Sequence, residues 1–266
     1  MVSLLKTEWL KVKKYNTFWI LSLLYIVSIW GLNYIVYNVQ QNIYDKKKTG
    51  GVVNMIIGNP PYAFPKVWHM TAYVSSFLLF MPGLLMIISI TNEYSYKTHR
   101  QNIIDGWSRT QFITAKQLLT IIIAIVSTAA VFLSALSFGF MEGSETLSFD
   151  NLEYILYFFL QTLSYTSLAL LFGVVLKRSG IAIGVYFLYT VVIENVVSGL
   201  LNHYADYSGR YLPLKSVDNL IPFPVFENMT RQFLKQPNFS VQLTLSLIYL
   251  ALYYYATKRK FETDDL

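Results

Sequence analysis

Long apolar blocks separated by short polar stretches set the pattern of this chain. Thr17 to Tyr37, Val67 to Ile90, Gln117 to Phe140, Leu152 to Leu176, Ile181 to Leu201 and Phe239 to Ala256 are nearly free of charge. Five of them run 21 to 25 residues and the last runs 18. A helix needs roughly 20 apolar residues to cross about 30 Å of hydrocarbon. Their only charges are Glu153, at the edge of the fourth block, and Glu194, inside the fifth. Six such blocks in 266 residues leave too little polar chain to cover them as buried helices of a soluble protein. The pattern predicts an all-α polytopic membrane protein with six transmembrane helices in a single domain, residues 1–266.

The polar stretches differ in kind. In residues 1–16, Val2, Leu5, Trp9 and Val12 recur at helical spacing with lysines on other faces, which predicts an amphipathic interfacial helix before the first span. Lys6, Lys11, Lys13 and Lys14 could pass for the head of a signal peptide, but the apolar run that follows is too long and lacks a small-x-small cleavage site. It reads as a retained span. Gly50-Gly51 and Pro60-Pro61 mark turns in the loop of residues 38–66, and Lys177-Arg178-Ser179-Gly180 marks a tight turn between the fourth and fifth spans. The prolines of residues 202–238 stop that partly apolar segment from spanning, so it reads as short helices dipping into the membrane. Pro82-Gly83 predicts a kink in the second span, and Asn33 and Gln161 predict hydrogen bonds between helices.

Composition narrows the chemistry. Only 14% of residues are charged, about half the usual share. There is no cysteine, which removes thiolate-bound metals and disulfides. The net charge of +6 could mean nucleic acid or orientation, and its distribution decides. With six spans both termini lie on one side. That side then holds 13 Lys and Arg and a net +7, while the other holds eight and a net charge of zero. By the positive-inside rule both termini are cytoplasmic. No basic–aromatic surface for nucleic acid remains. No phosphate-cradling G-x-x-x-x-G-K-[ST] loop, H-E-x-x-H pair or G-x-S-x-G turn occurs, so an enzyme active site is not expected.

Two places carry functional signal. In the fifth span Thr190, Glu194 and Ser198 recur every four residues and form one polar stripe. A carboxylate inside a span must face protein or water. The stripe can therefore line a translocation path, or Glu194 can be structural, protonated or paired with His203 or Arg210. The loop between the second and third spans mixes charge, Gly and apolar residues. Ile103, Ile104 and Trp107 at helical spacing form a small apolar face that suits either docking into a partner's groove or anchoring at the headgroups.

This loop resembles that of the membrane permeases of type-2 ABC exporters. Glu93, Tyr94, Thr98, Ser108, Arg109 and Lys116 follow the family's order and spacing, with Lys97 in place of a Gly and Gly106-Trp107 in place of a Pro. Glu8-Trp9-Leu10-Lys11, the Lys177-Arg178 turn, Leu212-Pro213 and the basic end at Lys258 to Lys260 extend the resemblance. It implies a coupling helix within residues 93–116 that contacts a separately encoded ABC ATPase. Arg100, Trp107 and Arg109 would make that contact, Glu93, Thr98 and Ser108 would shape the joint, and Gly106 would allow the turn. It further implies pairing with a second permease, identical or not, in a bacterial inner membrane. ATP and Mg would bind the partner ATPase, with no cofactor on this chain. The rival classes are an ion-coupled carrier or channel and an intramembrane enzyme. A carrier is expected to show inverted repeats and several midplane ionisable groups, where this chain has Glu194.

Overall fold

The computed structural model describes residues 2–44, 60–143, 146–205, 207–225 and 238–264, with side chains from residue 6 onward. Among these residues there is no strand. Helix α1 (Val2–Lys13) turns into α2 (Asn16–Tyr44). Helices α3 (Val67–Ser76) and α4 (Phe80–Ser95) meet at a bend of 50°. The short α5 (Thr98–Ile104) leads to α6 (Arg109–Met141) and α7 (Glu153–Leu176). The next span begins as α8 (Ser179–Phe187), passes through a π-helical turn at Leu188–Ile193 and ends as α9 (Glu194–Tyr204). A 3-10 turn at Ser208–Tyr211 and the short α10 (Pro213–Asp218) precede α11 (Phe239–Thr263). Among the described residues five helices are long and apolar enough to cross a membrane, and six if the bent α3–α4 pair counts as one span. The expected all-helical membrane architecture is present. Gly50-Gly51, Lys46 to Lys48, Arg231 and Lys235 lie outside the described residues, as do the side chains of Val2 and Leu5.

The bend in the second span falls at Phe77–Leu79, one turn before the Pro82-Gly83 pair from which it was expected. Proline lacks an N–H, and its ring crowds the carbonyl four residues earlier. For Pro82 that carbonyl belongs to Leu78, and the chain there switches to short-range bonds such as Leu79 N to Ser76 O at 3.2 Å. Gly83 has a separate use. A Cβ at this position would overlap the buried ring of Tyr186, so the glycine lets α8 approach α4.

Helix α7 is the axis of the bundle and packs on α3, α4, α6, α8, α10 and α11. Over its most apolar stretch 56% is buried, against 17% for α2 and for α11. Its sequence is apolar all round, as a central helix requires, and apart from Gln161 its buried polar residues are small ones such as Thr162, Ser164 and Thr166. Ile87, Ile90, Phe112, Leu170, Tyr186 and Phe261 form the core beneath the loop between the second and third spans, while Trp68, Phe138 and Phe158 anchor another core farther along the bundle. Asn33 bridges helices as expected, donating to Ser75 Oγ at 3.0 Å and accepting from Tyr62 Oη at 3.1 Å.

Candidate functional site

The loop between the second and third spans is built from backbone signals readable residue by residue. Lys97 takes the left-handed conformation at φ 57° and starts α5. That conformation explains why a glycine suits this place, since a Cβ there costs on the order of 1–2 kcal/mol. Helix α5 ends in a Schellman turn. Trp107 N donates to Asn102 O at 3.0 Å, Gly106 N donates to Ile103 O at 3.1 Å, and Gly106 sits at φ +99°. Ser108 then opens α6 with a capping box. Its Oγ accepts from Gln111 N at 3.1 Å, and Gln111 Oε1 accepts from Ser108 N at 2.9 Å. The box starts α6 well before its apolar block, so Lys116 lies two turns inside the helix.

A buried charge cluster ties this loop to α1. Lys116 is fully buried and donates to Glu8 Oε2 at 2.5 Å and to Glu93 Oε1. Lys11 donates to Glu8 Oε1 at 3.0 Å and to both oxygens of Glu93 at 3.0 and 3.1 Å. Two carboxylates thus meet two ammoniums, so the cluster is neutral although Glu8 and Glu93 are buried. Burial alone would raise the Glu8 carboxyl, but Lys116 and Lys11 overcome it and hold it below its ordinary value. Phe112 lies beneath both ammoniums, at 5.5 Å from Lys116 and 5.9 Å from Lys11. Thr98 Oγ1 and Asn102 Nδ2 each approach Glu93 Oε2 at 3.5 Å, and His99 Nδ1 lies 2.8 Å from the Glu93 carbonyl. Glu93 is therefore the joint between α1, α4, α5 and α6.

A second set of contacts ties the loop to the end of the last helix. Arg109 Nη1 donates to the carbonyls of Glu262 at 2.6 Å and Asp264 at 2.7 Å. It satisfies carbonyls that the end of α11 leaves free. Thr110 donates to Glu262 at 2.7 Å, and Phe112 stacks on Phe261 at 4.7 Å. Lys177 reaches Asp264 at 2.9 Å from the turn between the fourth and fifth spans.

These contacts sort the residues singled out in the sequence. Glu93, Thr98, Ser108 and Gly106 all sit in the joint. Trp107 is half-buried against the core with Ile103, and Lys11 lies 5.9 Å from its ring centre, so it does not project as the periodicity suggested. Arg109 is occupied by the chain's own C-terminal helix. The face left open carries Tyr96, Arg100 and Ile104, with Tyr96 74% and Ile104 77% exposed. In α1 the apolar residues divide between two surroundings. Val12 and Glu8 face the bundle, whereas Trp9 is 53% exposed and meets Trp19 edge-on at 5.9 Å.

The polar stripe lies in the half of the bundle distant from this loop. Thr190, Glu194 and Ser198 are buried there. Glu194 Oε1 accepts from the backbone N–H of Leu214 at 2.6 Å and Lys215 at 2.9 Å, capping α10. Backbone donors stand where His203 or Arg210 was one of the partners considered for a structural Glu194. Ser198 abuts Gly209, where a Cβ would collide with its carbonyl. Sequence reasoning missed Lys11 as a partner of Glu93 and Glu8 as the carboxylate that shares Lys11 and Lys116 with it. Their signals were a lone acid in a lysine-rich helix and an i,i+3 pairing with Lys11.

A family model described as ABC-2 family transporter protein matches residues 4–193. The chain belongs to the ABC-2 transporter family. The matched stretch holds every member of the charge cluster and ends one residue before Glu194. The protein is accordingly a membrane permease of an ABC transporter, a transport component and not itself the catalyst. No curated protein matches the chain.

Proposed function

We propose that this permease forms the translocation path of a bacterial exporter and is driven by a separate ABC ATPase docked on the α5 loop. The observation that carries the reading is the open side of the α5 loop, where Tyr96 just before α5 and Arg100 and Ile104 on it are all exposed, between the Glu93 cluster and the Ser108 capping box. Exposed aromatic, Arg and aliphatic side chains on a rigid element are the anchors from which tight interfaces are built. The ATPase would bind ATP and Mg, and its closure would push on α5. Because Glu93 and Lys116 join α5 to α1, α4 and α6, a push there moves those helices together instead of bending one loop. The second span, already broken at Phe77–Leu79, is the natural place for that motion to be absorbed.

The loop and both termini face the cytoplasm in this reading, on the strength of the 13-to-8 excess of Lys and Arg. Two permeases, copies or relatives, pair across the membrane. Thr190, Glu194 and Ser198 border the path, with Glu194 acting by holding α10 in place. Trp107 and Arg109 act indirectly, by seating α5 and the end of α11. Arg100→Glu and Ile104→Glu are each expected to weaken ATPase association by at least tenfold while membrane insertion and the unfolding midpoint stay unchanged. A pull-down of the ATPase with tagged permease reads this. Undiminished association in the double variant would remove α5 as the docking element.

A further inference from the structure

At the end of the bundle that carries α5, helices α1, α2, α4 and α6 surround a cavity of about 320 Å³. Trp9 and Val12 of α1 border it, as do Leu85 of α4 and Ile123 of α6, both buried. Along α2 its lining runs from Phe18 to Ile26, about 12 Å of helix at 1.5 Å per residue. The lining is largely apolar. Of its polar members, Glu8 is bonded to Lys11 and Lys116, and the Ser127 hydroxyl donates to the Ile123 carbonyl at 2.8 Å. Such a space offers water few partners, and left empty it forfeits dispersion contacts along its walls. Hydrocarbon suits it best. The cavity opens sideways between α2 and α6, where Leu23 is 65% and Val126 52% exposed on its rim. In a membrane that opening meets acyl chains.

Charge at the rim selects the headgroup. Trp9 and Trp19 both line the cavity and meet edge-on at 5.9 Å, and exposed indoles of this kind settle at headgroup level. Residues three and four apart are neighbours on a helix surface, so Lys6 and Lys13 flank Trp9 on its own side of α1. Both lysines are exposed, and neither is engaged by another described residue. Glu8 is the only acid in residues 1–44, and its charge is spent on Lys11 and Lys116. The rim therefore carries two free ammoniums, and α1 and α2 bring no uncompensated carboxylate to oppose an anion there.

We propose that α1, α2 and α6 hold one anionic phospholipid of the phosphatidylglycerol type. One acyl chain enters between α2 and α6 and fills the cavity, and the phosphate lies against Lys6 and Lys13 beside Trp9. A zwitterionic headgroup brings its own ammonium to the same two lysines and gains less from them. The lipid adds a second tie between α1 and the bundle, besides the charge cluster. The site depends on α1 lying at the membrane surface and not on ATPase docking, so it stands or falls separately from the export reading.

The test uses native mass spectrometry of the purified full-length permease, delipidated in detergent and titrated with phosphatidylglycerol, phosphatidylcholine or phosphatidylethanolamine of identical chains. A lysine close to an anionic headgroup is worth about fivefold in affinity. With two lysines, phosphatidylglycerol is expected to bind one saturable site at least tenfold more tightly than either zwitterionic lipid. Lys6→Gln with Lys13→Gln, both at exposed positions, should remove that preference and leave the unfolding midpoint unchanged. Leu23→Trp with Val126→Trp, on the two sides of the opening, should close it and weaken phosphatidylglycerol at least tenfold, with the midpoint in lipid-free detergent preserved. Soluble glycerol phosphate at equal concentration should not displace the lipid. A preference that survives the lysine variant, undiminished binding in the tryptophan variant, equal affinity for phosphatidylcholine, or displacement by glycerol phosphate would overturn the proposal.

Discussion

Lys116→Met is expected to undo the seating of α1 and of the α5 loop together. The wild-type ammonium is fully buried and serves two carboxylates. Its loss leaves Glu8 and Glu93 sharing Lys11, whose side chain is 28% exposed and already bonded to both. Removing one partner of a buried ion pair costs about 3–5 kcal/mol, because the other charge stays desolvated. Domain stabilities are themselves about 5–15 kcal/mol, so the unfolding midpoint should fall sharply and α1 should become open to protease. Glu8→Gln alone should cost less, since Lys116 keeps Glu93. Combined with Lys116→Gln it should be strongly non-additive, the signature of one cluster. A Lys116→Met protein within about 1 kcal/mol of wild type would mean that the cluster does not hold the loop.

Glu194→Ala is the second large expected effect, at the other end of the bundle. The alanine strips two backbone N–H groups at the start of α10 of their acceptor. Charge-assisted bonds of this kind are worth roughly 1.5–3 kcal/mol each. The variant should lose about 2–4 kcal/mol, allowing for relaxation, and release α10 from its place beside α7 and α11. Glu194→Gln keeps an oxygen in the same position and should fold almost normally. The pair of variants separates two roles that the sequence left open. If Gln restores both the fold and transport, the residue acts as a cap. If Gln restores the fold and transport is lost, the carboxylate charge acts in the path.

The membrane architecture was legible because six apolar blocks leave few other ways to bury them. Helix ends were less legible, since capping is a matter of single residues. Ser108 with Gln111 extends α6 well past its apolar block, and Gly106 ends α5, whereas hydropathy alone sees neither. The kink at Pro82 was displaced by a turn because the clash falls on the carbonyl four residues earlier. In the loop between the second and third spans, Glu93 and Thr98 meet at the joint, while Trp107 packs toward the core and Arg109 bonds the end of α11. Their orientation depends on α1 and α11, which come from opposite ends of the sequence. Long-range ion pairs such as Glu8 with Lys116, 108 residues apart, leave no periodic trace. Glu194 showed its cost in the sequence, while its partners, two backbone N–H groups of a short helix, could not be read there.

The chain contains no cysteine, which makes single-cysteine crosslinking the most direct measurement of the central claim. Ile104→Cys places a thiol on the open face of α5. Tyr204→Cys, at a position 81% exposed, places one at the far end of the fifth span. The span begins beside Lys177, which contacts the α11 end that Arg109 holds, so the two thiols mark opposite ends of the bundle. With a short bifunctional reagent in native membranes, Ile104→Cys is expected to capture a nucleotide-binding ABC ATPase, and Tyr204→Cys is not. No ATPase at Ile104→Cys, or equal capture at both positions, would contradict the account.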